Sequence, residues 1–561
     1  MSYGLVAAVS LLVLPWTVLL LQRPVMSRPT HERPIEPRVA RRRLVRSLLR
    51  RLTLLATVMA LLVARWMVVA SSHGTHPAYL GAARSYTLAL GLCFALGVAS
   101  QGLRWSTFFA RVSAQPARLM AASFGAAGVV GALLLSLPVS HQNVATVSLV
   151  DSLFMAVSAV CVTGLSVNNL AETYSLFGQA VLCLLVQIGG LGIMVLSAAI
   201  AILVGQRMRV RSSAMLTEIV DGSSLASLRR TVVMICAYTL ALEAVGAILL
   251  YLQLRALPAA TSVPGHPVAG GALWAAVFHA VSAFCNAGFS TLSEGLVPLG
   301  GRPGMLGVIT TLIVLGGIGF PVLDELTRAL RTRVRGQRVP ALSLHTRVAL
   351  RLTALFLGAL AACYLLLEWR HGFRSLPYPA RVYAAVFQSA SARTAGFNVV
   401  DLSTLRPATL VLTCVAMIVG ASPGSTGGGI KVTTVAALYA GLRSELSGAP
   451  ASLLDRALPE GVIRKAIGVV FLSLLLVSGA FFLLLLVEPH PALDLLFEAV
   501  SAFSTTGLST GITPRLTVPG KLLVIALMLT GRIGPLTLAL AVSNVPQRRP
   551  LRLPEERILI G

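Results

Sequence analysis

Residues 181–204, VLCLLVQIGGLGIMVLSAAIAILV, contain no charged side chain. A helix of that length rises about 36 Å, enough to cross a hydrocarbon core of ~30 Å. Lipid offers no hydrogen bonds, so a spanning segment is either a helix or a strand of a closed barrel. Barrel strands alternate apolar and polar residues, and this run does not. Similar runs recur along the chain, where apolar residues make up 56% and charged residues 12%. A soluble domain carries about 25% charged residues. The mean hydropathy of +0.82 agrees. The sequence therefore predicts an all-α polytopic membrane protein.

The formal net charge is +26, and its placement decides what it means. The basic residues fall in blocks between apolar runs: QRMRVRSS from Gln206, TRALRTRVRGQR from Thr327, residues 441–465, and the tail PQRRPLRLPEER. That is how the positive-inside rule marks cytoplasmic loops. The expected contact is the anionic face of the lipid bilayer and not nucleic acid, and the tail 546–561 is expected in the cytoplasm. Residues 5–21 have no basic residue before them and no small-residue cleavage site after them. They read as a retained helix with its N-terminus outside. The seven cysteines show no CxxC spacing, so neither disulfides nor zinc are indicated.

One apolar stretch is interrupted by AFCNAGFSTLSEG at residues 283–295, and similar text occurs three more times. AVCVTGLS ends at Ser166, SARTAGFN at Asn398 and AFSTTGLS at Ser509. Their central glycines, Gly164, Gly288, Gly396 and Gly507, are 124, 108 and 111 residues apart. A phenylalanine stands ten residues before three of them (Phe154, Phe278, Phe497) and nine before the fourth (Phe387). Each stretch lies between two apolar spans: 119–138 and 179–204, 231–252 and 304–326, 348–367 and 407–440, 466–487 and 519–542. About ten residues cannot cross the core, so each segment is expected to dip in and return, as irregular backbone does where protein or water surrounds it. The expected architecture is four helix–pore loop–helix repeats around a central pore, at 116–205, 231–330, 345–445 and 463–545. Residues 1–115 add about three transmembrane helices (5–21, 52–71, 86–101) and the basic linker RVARRRLVRSLLRR.

A potassium filter replaces the ion's hydration shell with rings of backbone carbonyls, and glycine reaches the required backbone angles without a Cβ penalty. The expected filter residues are Val162, Thr163 and Gly164; Asn286, Ala287 and Gly288; Thr394, Ala395 and Gly396; and Thr505, Thr506 and Gly507. Potassium is the expected substrate, bound at these residues.

At these stretches the chain resembles the Trk/Ktr/HKT superfamily of potassium transporters, in particular the pore-forming subunits called KtrB and TrkH. The resemblance covers residues 116–545. It rests on the four filter glycines, FQSASARTAGF, the interrupted third-repeat helix and GRIGPLT at 531–537. It implies potassium uptake across a bacterial plasma membrane by a homodimer seated on cytoplasmic nucleotide-binding regulatory subunits of the TrkA/KtrA kind. Family members with Ser at the first filter glycine tend to admit sodium; Gly164 stands there in this chain and implies potassium. Two alternatives remain: a sodium- or proton-coupled cation symporter on the same scaffold, and a non-transporting membrane assembly subunit.

In the third repeat GASPGSTGGGIK, residues 420–431, places a proline and several glycines in mid-span, which forbids a continuous helix. The loop is expected to stand below the filter as a gate. Its members are Ser422, Pro423, Gly424, Ser425, Thr426, Gly427, Gly428 and Gly429, with Lys431 at its far end. Lys431 can reach the cavity or an interface. In the family the arginine matching Arg532 lies beside the cavity under the filter, and a charge at that depth is a functional candidate; the alternative is a helix-to-helix pair with an acidic residue. Glu243 reads as a structural hydrogen-bond acceptor or an ion contact. Arg393 and Glu498 can pair behind the filter, and Glu172, Glu294 and Asp401 read as an acidic outer mouth or as solvated loop acids. GSTGGGIK resembles a phosphate-binding loop, but Ile430 precedes the lysine and no βαβ pattern surrounds it. With scattered histidines and no HExxH motif, neither an enzyme nor a cofactor in this chain is expected.

Overall fold

In the computed structural model, the residues described are 116–142, 147–192, 225–255, 271–293 and 295–535. The expected N-terminal spans, the basic linker, the block from Gln206, Glu294 and the tail lie outside them. All described residues belong to one compact unit, residues 106–561.

One order of elements recurs four times: a first helix, a short helix ending in a glycine stretch, and a second helix. The first quarter holds α1 (Pro116–Leu135), α2 (Leu149–Val160) and α3 (Leu176–Gly190). The second holds α4 (Leu225–Arg255), α5 (Gly271–Phe284) and α6 (Pro303–Gly317), followed by α7 (Phe320–Val334). The third holds α8 (Leu344–Glu368), α9 (Tyr378–Ser391), α10 (Pro407–Ile418) and α11 (Val432–Ser447). The fourth holds α12 (Glu460–Val487), α13 (Ala492–Phe503) and α14 (Val518–Ile533). Start signals are local: Ser148, Ser175, Ser343 and Thr517 each accept a first-turn N–H, and Pro303 and Pro407 open α6 and α10.

Length and burial separate these helices into two kinds. Among the described residues α4, α8 and α12 are long and apolar enough to cross a membrane. They carry exposed apolar side chains such as Leu240, Leu355 and Phe471, as lipid-facing helices do. The short helices α2, α5, α9 and α13 have only 12 or 14 residues, rising ~18–21 Å. They are enclosed by protein, with Phe154, Phe278, Phe387 and Phe497 all within 1% of full burial. The phenylalanines that mark the sequence pattern are thus the plugs of the core.

Each short helix packs on the first helix of its own quarter and on the second helix of the quarter before it. The cross-quarter pairs are α3 with α5, α6 with α9, α10 with α13, and α14 with α2. The last pair returns to the start, so the four quarters close into a ring. Lys521 on α14 seals that closure through an ion pair with Asp151 on α2, at 2.6 Å and mostly shielded. Ser148 Oγ donates to the same carboxylate at 2.7 Å. Lys521→Met is expected to cost about 1–3 kcal/mol by stranding Asp151. Thermal unfolding in detergent checks this, and Asp151→Asn should make the Lys521 substitution nearly silent.

Two features went unread in the sequence. The 304–326 span is not continuous: α6 ends at Gly317, and α7 leaves it at 104°. Gly319 between them, the last glycine of GGIG at residues 316–319, has φ +93°, and Gly192 and Gly534, which close the similar GGLG at 189–192 and GRIG at 531–534, also have positive φ. These glycines therefore end helices besides letting them pack, and helix breaking is not confined to the third quarter. Second, the buried carboxylates Glu368 and Glu488 tie first helices to second ones. Glu368 accepts from Gly372 N, Arg406 N and Thr409 Oγ1, and Glu488 accepts from Thr517 N and Oγ1.

Candidate functional site

Each short helix ends in the same turn. In the first quarter Val162 N donates to Ala159 O and Thr163 N to Ser158 O. The bonds repeat as Asn286 N to Ala283 O with Ala287 N to Ser282 O, and as Thr505 N to Ala502 O with Thr506 N to Ser501 O. The third stretch is one residue shorter, and Ala395 N and Gly396 N both reach Ser391 O. Val162, Asn286, Thr394 and Thr505 all have positive φ, 50° to 71°. Non-glycine residues are rare there, and each costs of order 1–3 kcal/mol. Four equivalent outliers mark one imposed backbone shape.

The four glycines that follow touch one another in sequence. A Cβ added to Gly164 would lie on Ala287 O and 3.2 Å from Gly288 Cα. One on Gly288 would lie 2.7 Å from Ala395 O and 2.9 Å from Gly396 Cα. One on Gly396 would meet Thr506 O and Gly507 Cα, and one on Gly507 would meet Thr163 O and Gly164 Cα. The chain of contacts closes on itself. Thr163, Ala287, Ala395 and Thr506 each press a carbonyl oxygen against the glycine of the preceding quarter, which leaves no room for a side chain.

The third-quarter loop lies against this ring. Between α10 and α11 the backbone pinches into a neck, where Gly420 N donates to Ile430 O and Ile430 N to Ile418 O. Beyond the neck Ser422 N reaches Gly317 O, Thr426 N reaches Gly316 O, and Phe320 N reaches Gly424 O. Pro423 O stands where a Cβ on Gly319 would fall. Ser425 closes a local turn on Ser422 O. Thr426 Oγ1 lies 3.2 Å from Phe284 O and 3.1 Å from Gly316 O. The Asn286 amide, turned to match its neighbours, accepts from the same hydroxyl and donates to Ala283 O and Ile313 O. Gly427 and Gly428 pack directly on the Thr394 and Thr505 hydroxyls, and Gly429 has φ +67°.

Two cationic side chains hold consecutive carbonyls of the loop. Arg532, 8% exposed at the end of α14, donates to Thr426 O and to Gly189 O on α3. Lys431 Nζ donates to Gly427 O at 2.6 Å. Lys431 therefore turns back onto the loop. Directly or through Arg532, the loop is tied to all four quarters.

Other candidates resolve individually. Glu243 accepts from Gln187 Nε2 at 3.1 Å and lies 3.6 Å from Cys285 Sγ, a structural acceptor behind the second stretch. Arg393 and Glu498 form no ion pair. Arg393 follows the end of α9, three residues before its glycine, and lines a small cavity with Thr353, Gly317 and Ala421. Glu498 lies nine residues before its own glycine, at a different depth, and accepts from Thr513 Oγ1. Asp401 caps a turn through Ser403 N, and Glu172 accepts from Asn169 Nδ2. A triplet VSA recurs at residues 157–159, 281–283 and 500–502, with ASA at 390–392, and the sequence reading passed over its serine: the hydroxyls of Ser158, Ser282, Ser391 and Ser501 reach the glycine stretches.

Residues 93–551 match the family described as TrkH, cation transport protein. Ktr system potassium uptake protein B of Bacillus subtilis is 33% identical over 449 residues, covering 80% of this chain and 97% of that protein. The protein of the same name from Vibrio alginolyticus is 36% identical over 451 residues, covering 79% and 94%. The crystal structure of the potassium transporter TrkH from Vibrio parahaemolyticus shares the fold, with a TM-score of 0.62 at 18% identity over 89% of this chain and 99% of that one. The match spans all four glycine stretches and the loop beneath them, and the chain belongs to the TrkH family of cation transport proteins.

Proposed function

We propose that the protein takes up potassium through a pore whose filter is the glycine ring and whose gate is the loop 422–429. The closed chain of contacts from Gly164 through Gly288 and Gly396 to Gly507 carries this reading. On this reading the carbonyls of Thr163, Ala287, Ala395 and Thr506 surround one axis, a shell that can replace water around a dehydrated cation. Several named relatives are potassium uptake proteins, which supports potassium as the ion. The four quarters act as helix–pore loop–helix repeats in a multi-pass protein of the cell membrane. Two copies and a nucleotide-binding cytoplasmic regulator complete the transporter. The test is uptake of rubidium, sodium and lithium into vesicles containing this protein alone. Rubidium entry above that of the smaller ions, slow while the gate is shut, is the expected outcome, and equal flux of all three, or no flux even after deletion of residues 424–428, rejects the reading.

Arg532 contributes in two ways. It holds the gate loop to α3, and its charge opposes a cation in the cavity by roughly 3 kcal/mol at ~6 Å with an effective dielectric near 20. Arg532→Ala is expected to raise rubidium flux severalfold without a regulator. A fall in flux together with misassembled protein would assign Arg532 to folding alone.

A further inference from the structure

The backbone turn of each filter stretch is strained, and something behind it must hold it. We infer that Ser158, Ser282, Ser391 and Ser501 are positioning residues for ion selectivity, each fixing which carbonyls of its stretch face the ring. This deepens the filter reading and rests on it.

The geometry is clearest in the first quarter. Ser158 Oγ accepts from Gly164 N at 3.1 Å and donates to Leu165 O at 2.7 Å. A hydroxyl has one proton to give and lone pairs to receive, so a single side chain grips the peptide group that precedes Gly164 and the one that follows Leu165. In a planar trans peptide the N–H and the preceding C=O point in opposite directions. Holding Gly164 N–H toward the short helix therefore drives Thr163 C=O the other way, and Thr163 O is the oxygen that lies against Gly507. Holding Leu165 C=O back removes it from the ring. One serine thus sets two carbonyls two residues apart, Thr163 C=O toward the axis and Leu165 C=O away from it.

The other quarters share the arrangement in part. Ser282 Oγ donates to Phe289 O at 2.8 Å, Ser391 Oγ donates to Phe397 O, and Ser501 Oγ accepts from Gly507 N at 3.1 Å. The third stretch is one residue shorter between serine and glycine, yet its hydroxyl reaches the equivalent carbonyl. A buried helical serine ordinarily bonds back to the carbonyl four residues earlier, as Ser473 and Ser504 do. These four instead bond forward into the loop, and all are within 1% of full burial, so water cannot substitute for the hydroxyl.

Ser389 supplies an internal control. It lies on the same short helix as Ser391, is equally buried, and donates to Leu357 O at 2.8 Å, away from the ring. Ser158→Ala, Ser391→Ala and Ser389→Ala are to be reconstituted in vesicles, and the ratio of rubidium to sodium uptake measured against wild type. The expected result is a ratio lowered about fivefold, what one buried hydrogen bond is worth, in the Ser158 and Ser391 variants and unchanged in Ser389→Ala. Ser158→Cys keeps a weak donor at nearly the same volume. It is expected to fall between wild type and alanine, and it serves if the alanine variant does not fold. An unchanged ratio in the Ser158 and Ser391 variants, or an equal fall in the Ser389 variant, overturns the assignment while leaving the filter reading intact. A wild-type protein that does not prefer rubidium overturns both.

Discussion

Gly164→Ser and Gly288→Ser are expected to lose most of the preference for potassium over sodium. Both glycines have φ in the left-handed region, +93° and +71°, where an added side chain is strained whatever the space around it. The space is absent as well. A Cβ on Gly164 would overlap Ala287 O and lie 3.1 Å from its carbonyl carbon, and one on Gly288 would lie 2.7 Å from Ala395 O. These neighbours are backbone and cannot swing aside like the tip of a lysine. On the proposed reading the displaced atom is itself an ion ligand, so the defect passes directly into selectivity. Strain and clash together amount to at least ~1.4 kcal/mol, about tenfold in the ratio of rubidium to sodium uptake. The overlap is deeper at Gly164, so its variant should be the more severe. Gly479 on α12 has open space where its Cβ would fall, and Gly479→Ser should leave the ratio unchanged. Unaltered ratios in both ring variants would remove these glycines from the filter.

The ring was legible in the sequence because its cause is local and repeated. Each stretch must leave a short apolar helix, adopt a left-handed turn and admit a neighbour's carbonyl, and only glycine satisfies the last two. Four copies at comparable spacing make that requirement visible in one chain. The break in the third-quarter span was legible for a related reason, since a proline among glycines cannot sit in a continuous helix. What was missed depends on partners distant in sequence or on direction. Nothing in GGIG says that Gly319 will take φ +93° and turn the chain by 104°, because the same letters also serve close packing. Arg393 and Glu498 looked like partners because each is charged near a filter stretch, but their different offsets from the glycine put them at different depths. The serine of the VSA triplet was visible as a repeated letter. Its role was not, because a helical serine more often bonds backward than forward.

Deleting residues 424–428 is expected to raise rubidium flux in the absence of any regulator by about tenfold or more, with the rubidium-to-sodium ratio unchanged. On the proposed reading the loop is held shut by contacts that the deletion removes together. Thr426 O is bound by Arg532, Gly427 O by Lys431, and Thr426 N by Gly316 O. A hydrogen bond to a charged group contributes ~1.5–3 kcal/mol, so losing either cationic hold shifts a closed–open equilibrium by about tenfold. The shortened chain can still close. The neck formed by Gly420 N with Ile430 O and Ile430 N with Ile418 O lies outside the deleted residues, as does the bond from Ser422 N to Gly317 O. Helices α10 and α11 therefore stay joined. The filter turns rest on the short helices, so their carbonyls should keep their places and selectivity should persist. Arg532 keeps its bond to Gly189 O and still opposes cation entry, which places a ceiling on the gain. Adding Arg532→Ala to the deletion should raise flux further if its charge acts independently of its grip on the loop. A deletion variant that folds, conducts no faster than wild type and still requires a regulator would show that the loop is a structural floor, and the gate would have to be sought elsewhere in the chain.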